Sequence, residues 1–209
     1  MSLRAPGGHA PVQLRRSGWP VLRTPRWLFA VAAVLVAGMV LAALAHRPSN
    51  AQRAADLRGF VHDMNTDIES CAGGVAESLT ALRAIRAGTS HDVATAIGIA
   101  TYGVSNCSPA NSMPLDDLVS YQVTESLARY HLEVTVNDLV TWAFPLAQRV
   151  MADVARELAA RSGSGRAAAA AALQHDQKAL DAQRATIDER IASADRALSA
   201  DVAPPSLPG

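Results

Sequence analysis

The sequence predicts an all-α chain. A single N-terminal transmembrane helix is followed by an extracytoplasmic antiparallel helical bundle, which ends in a long coiled-coil-like helix. Three observations predict this. Residues 27–45 carry no charged side chain. Apolar residues then recur at spacings of three and four, the period of one helix face. Residues 166–200 are alanine-rich, with Leu173, Leu180 and Ile187 spaced by sevens.

Residues 1–26 read as a disordered, basic cytoplasmic tail, because they hold Arg4, Arg15, Arg16, Arg23 and Arg26 and no acid. Residues 27–45 read as a transmembrane signal-anchor. In helical form they span roughly 28 Å, close to the thickness of a bilayer's hydrocarbon core. Arginine excess in a short flank holds that flank in the cytoplasm. Arg15, Arg16, Arg23 and Arg26 therefore set orientation, and Trp27 suits the inner headgroup region. Everything after residue 46 is then extracytoplasmic in a single-pass arrangement. The competing reading is a cleaved signal peptide, since Ala43-Leu44-Ala45 is A-x-A-like and Arg15-Arg16 could be a twin-arginine pair. An apolar run longer than the usual signal core argues against it. Both readings export the rest of the chain.

The formal net charge is zero, but it is divided. The tail carries +5. After residue 46, fourteen Arg or Lys against nineteen Asp or Glu leave −5. An acidic outer part gives no basis for binding nucleic acid, which needs a basic surface.

Residues 46–161 read as the extracytoplasmic helical domain. Val61, Met64, Ile68, Cys71, Val75, Leu79 and Leu82 mark the inner face of a helix that starts after Ser49 and ends near Gly88. Gly73-Gly74 interrupt it, which implies a bend or a closely packed backbone. The two cysteines, Cys71 and Cys107, read as a disulfide in an exported domain. Thr89 and Asp92 have capping-box spacing before a short helix with Val93, Ala96, Ile97 and Ala100 inward. Residues 103–114 read as a loop carrying Cys107, with a third helix starting after Asn111 or Ser112.

Leu139, Ala143, Leu146, Val150, Val154 and Leu158 hold helical phase through Pro145. A kinked helix is expected, with a restart at Pro145 as the alternative. Tyr121, Tyr130, Trp142 and Phe144 read chiefly as core, with a binding surface as the second possibility. Ser162-Gly163-Ser164-Gly165 reads as a flexible break. The helix over 166–200 has a thin apolar stripe that can lie on the bundle or pair with another chain. Residues 201–209, with three prolines, read as a disordered tail.

No catalytic, cofactor or metal site is predicted. His131-Leu132-Glu133 matches half of a deaminase signature, but no P-C-x-x-C follows. There is no H-E-x-x-H, G-x-S-x-G, P-loop or G-x-G-x-x-G. Asp116-Asp117 and Asp188-Glu189 read as solvated, because adjacent helical residues point apart. The expected partners are the lipid bilayer and a protein, or a second copy meeting helix 166–200. Three functions are carried forward: a membrane-anchored interaction or scaffold subunit, a ligand-sensing bundle working through a separate partner, and an enzyme with an unrecognised site.

Overall fold

The computed structural model describes residues 26–45, 47–111, 116–118 and 121–207, with side chains of the first helix described from Val31 to Leu41. It is all-α, with no strand among the described residues. Two compact units separate between Arg47 and Pro48.

The first unit contains α1 (Arg26–Ala45). Each of its side chains from Val31 to Leu41 is exposed. Among the described residues no helix is long and apolar enough to cross a membrane. The expected span over 27–45 coincides with α1, but its side chains are described over the middle part alone.

The second unit begins with α2 (Asn50–Arg86), where the Ser49 hydroxyl accepts a hydrogen bond from the Gln52 amide at 3.1 Å and caps the helix. α2 runs unbroken through Gly73-Gly74 and buries Leu57, Met64, Ile68, Cys71, Val75 and Leu82. A turn with Gly88 at φ +69° reverses the chain. α3 (Val93–Asn106) is capped by Asp92, which accepts from the Thr95 amide at 2.9 Å. The Thr89 hydroxyl instead donates to the Ala84 carbonyl, so Thr89 closes α2 and does not open α3. The predicted loop over 103–114 is also corrected. Residues 103–106 are helical, and Cys107 is the C-cap of α3. Residues 116–118 are helical, in keeping with the expected third helix, and Leu118 is buried.

A 3-10 helix (Glu125–Tyr130) leads through left-handed His131 into α4 (Leu132–Asp138). A π-helical turn over Leu139–Ala143 follows, then α5 (Phe144–Ala159) with Pro145 in its first turn. The Phe144 amide donates to the Leu139 carbonyl, five residues back. An interior proline lacks an N–H and crowds the carbonyl four residues earlier. The wider π turn accommodates both effects, so the helix passes Pro145 with its apolar face intact. Leu139, Ala143, Leu146, Val150 and Val154 are all buried as expected.

The expected flexible break at 162–165 is a tight capped junction. The Ser162 hydroxyl accepts from the Gly165 amide at 3.1 Å, and α6 (Gly163–Leu198) starts at once. Connections this short set consecutive helices antiparallel. α5 is the central element, packed against α2, α3 and α6. The stripe of α6 lies inside this bundle, with Leu173, Leu180, Ile187 and Ile191 buried. The thin seam thus faces its own chain.

The expected disordered tail is the clearest departure. Ser199 and Asp201 take left-handed φ of 49° and 55°, and the chain turns back. Pro205 and Leu207 are buried, and the Ser206 amide donates to Asn65 Oδ1 at 2.8 Å. Apolar side chains placed over an uncovered stretch of α2 outweigh the local preference of a proline-rich segment for disorder. Residues 208 and 209 of the predicted tail lie outside the described residues.

Candidate functional site

Of the residues singled out in the sequence, the fold brings Cys71 and Cys107 together. Their Cα atoms are 4.6 Å apart, at disulfide distance, and both side chains are fully buried. One turn along each helix from these cysteines, Gly74 of α2 faces Gly103 of α3. A Cβ on Gly74 would stand 3.1 Å from the Gly103 Cα. The two backbones can approach only because neither residue has a side chain. The close packing expected at Gly73-Gly74 therefore falls on Gly74 alone, since a Cβ on Gly73 meets nothing within 4 Å. Gln148 of α5 completes the junction by donating from Nε2 to the Cys107 carbonyl at 2.9 Å.

Arg15, Arg16 and Arg23 lie outside the described residues, and Arg26 and Trp27 open α1. The histidines inside the described residues form no group with other His, Cys, Asp or Glu that could hold a metal ion. His131 and Glu133 touch at 3.3 Å on the surface. Both are exposed, as a solvated pair would be.

Several charged contacts carry no signal in the sequence. Arg86, at the end of α2, makes a bidentate pair with Glu157 of α5, at 2.8 Å and 2.5 Å. Glu157 is 5% exposed. The Glu157 hydrogen bond holds the Arg86 guanidinium above its ordinary pKa. Arg149 of α5 meets Asp176 of α6 at 3.1 Å, and Arg190 of α6 pairs with Asp138 at the end of α4. These pairs stitch neighbouring helices together.

Asp153 of α5 is fully buried, with Arg156 on one carboxylate oxygen and no hydrogen-bond partner for Oδ2. Burial pushes its carboxyl above the ordinary range, against the pull of Arg156, and Asp176 pushes the same way. Asp188, expected to be solvated, has one buried oxygen without a partner and a contact to Arg184 at 3.7 Å. Burial raises its pKa too. An interior turn of α6 facing the bundle explains the difference, because helical neighbours at 187 and 191 are buried. Glu189 fits the solvated reading, exposed and paired with Arg196. Asp67 is raised by burial and then by Asp117 and Asp63. The Tyr121 hydroxyl is raised by burial, with Asp63, Asp67 and Asp56 adding to it.

The aromatics divide. Phe144 is fully buried, and Tyr121 stacks at an angle on Phe60 with ring centres 5.7 Å apart. Trp142 is 56% exposed on the π turn, with Val134 exposed on the preceding helix. Core packing therefore accounts for Phe144 and Tyr121 but not for Trp142.

A cleft of about 710 Å³ lies between α2, α6 and the returning tail. His62, Asn65 and Glu69 line it from α2, Arg184 from α6, and Ser206 and Leu207 from the tail. It is open to solvent and mixed in polarity. Asn65 and the tail were invisible as a site in the sequence, because their contact joins positions 141 residues apart.

No family model, no curated protein and no solved structure matches this chain.

Proposed function

We propose that this chain is a membrane-anchored extracytoplasmic interaction protein, a scaffold or accessory subunit whose helical bundle is presented outside the cell membrane. The reading assigns it no reaction. One observation carries it. The described side chains of α1 are apolar and exposed on every side from Val31 to Leu41. A helix apolar all round calls for an apolar surrounding, and lipid supplies one. The arginines ahead of it favour a cytoplasmic N-terminus. The cysteine pair at disulfide distance suits an oxidising compartment. The boundary at Arg47–Pro48 also suits release of the bundle by cleavage near Ala45, the secreted form of the same reading.

Fractionation of cells making the full chain tests the anchor. The protein should stay in the membrane pellet after alkaline wash, and its bundle should be open to protease from the outside. Intact mass should show residues 1–45 retained, whereas loss up to Ala45 selects the secreted form. A cytosolic product with both thiols reduced would overturn the reading.

A further inference from the structure

We propose that residues 202–207 form an exchangeable strap, and that the groove they fill on α2 accepts the same segment from a second copy of this chain. The proposal rests on the reading of the chain as an interaction protein and is independent of the membrane anchor.

Among the described residues two hydrogen bonds tie the strap to the rest of the chain, one near each end. The Val202 amide donates to Asp195 Oδ1 at 3.1 Å, just after the helix it leaves. At the far end Leu207 and Pro205 are buried and the Ser206 amide reaches Asn65. Pro204 and Pro205 lack amide protons and cannot prolong α6. The groove is lined along α2 from His62 to Ala76. Gly73 is part of that lining, and a Cβ there would meet nothing within 4 Å.

The hinge favours exchange. Ser199 and Asp201 both hold left-handed backbone without being glycine, a conformation L-residues adopt at a cost. At Ser199 this conformation caps α6, with the Ser199 amide donating to the Asp195 carbonyl, and at Asp201 it recurs where the strap turns back. Let both residues relax to the right-handed region, and α6 lengthens and carries the strap outward. In a second copy the strap can then make the same contacts with Asn65 and the same burial of Pro205 and Leu207. Exchange of an identical terminal segment is a low-cost route to a dimer, and a strained short hinge promotes it.

The test uses the full chain in detergent. Two differently tagged copies are co-expressed, one carrying Asn65→Cys and the other Ser206→Cys, with Cys71 and Cys107 retained. A chain carrying both substitutions serves as the comparison. The expected result is a covalent band joining the two tags under mild oxidation. Adding Ser199→Gly and Asp201→Gly to both copies should lower that band several-fold, since glycine removes the hinge cost. Closure within the doubly substituted chain, without any band joining the singly substituted copies, would overturn the proposal. An interchain band unchanged by the glycine hinge would overturn the strain that drives it. Failure of both crosslinks would remove the strap's seat on Asn65, and the proposal with it. None of these readouts depends on whether the protein came from a membrane.

Discussion

Gly74 and Gly103 meet backbone to backbone, and Met151 closes over both. A Cβ on Gly74 would stand 3.1 Å from the Gly103 Cα, and one on Gly103 would stand 2.5 Å from the Met151 sulfur. The neighbouring Gly73 has open space where its Cβ would be. The two adjacent glycines of α2 are therefore opposite in kind. Gly74→Ala should destabilise by about 1–3 kcal/mol, because rigid backbone must give way. Gly73→Ala should stabilise by up to about 1 kcal/mol through helix propensity. Urea midpoints of the two variants check this. Equal shifts of the same sign would show that α2 and α3 do not approach at Gly74.

The glycine contact lies one helical turn from Cys71, so it brings the cysteines within reach of each other. Cys71→Ser removes the link between α2 and the end of α3. With the cysteines 36 positions apart, loop closure alone contributes roughly 3.5–4 kcal/mol on the chain-entropy model. The variant should melt several degrees lower and expose one thiol, at position 107, after denaturation. Thiol counts on denatured wild type, with and without prior reduction, are the direct check. Equal counts would mean that no bond exists.

How far the fold could be read depended on whether its cause was local. Ser49 announced the start of α2, and the three–four spacing from Val61 to Leu82 gave its buried face. Gly103, Asn106 and Pro109 together resemble a loop, yet α3 runs on to Asn106. Only the partner backbone at Gly74 makes Gly103 useful inside a helix. The junction at 162 departs for a related reason: Ser and Gly signal flexibility, but Ser162 caps the next helix. Pro145 marked an irregularity without revealing that a π turn would absorb it. Asn65 with Ser206, and Arg86 with Glu157, pair residues 141 and 71 positions apart. No periodicity connects such positions, so these contacts had no trace in the sequence.

The Arg86–Glu157 pair should matter more than an ordinary surface ion pair. Glu157 is nearly buried while Arg86 is half exposed. Removing the arginine strands a carboxylate in the bundle; removing the carboxylate leaves an arginine that can turn to water. Arg86→Ala should therefore cost more than Glu157→Gln. Solvent screening at the arginine keeps the coupling energy of the pair near 1–2 kcal/mol. A double-mutant cycle by chemical denaturation measures it. Coupling below a few tenths of a kcal/mol, or the reverse order of the single variants, would make this a surface contact of little consequence.

Asp153 gives the bundle a pH response of unusual sign. Burial holds its carboxyl above the ordinary aspartate value of 3.8. Between its unfolded and folded pKa values, the folded chain binds more protons than the unfolded chain. Stability then falls as pH rises through that window and is regained as pH drops. Asp188 and Asp67 are raised as well and act in the same direction. Asp92, whose pKa the Thr95 hydroxyl and amide lower, acts the other way: its contribution is present above 3.8 and is lost as pH falls through its folded value. Its window therefore lies below that of Asp153. Asp153→Asn cannot titrate, so wild type should gain stability relative to this variant as pH is lowered from 7 toward 4. Melting temperatures of the two proteins across that range check the slope. Parallel curves would place the proton elsewhere, and a wild type that loses ground to the variant on acidification would mean that Arg156 dominates and that the Asp153 carboxyl lies below its ordinary value in the fold.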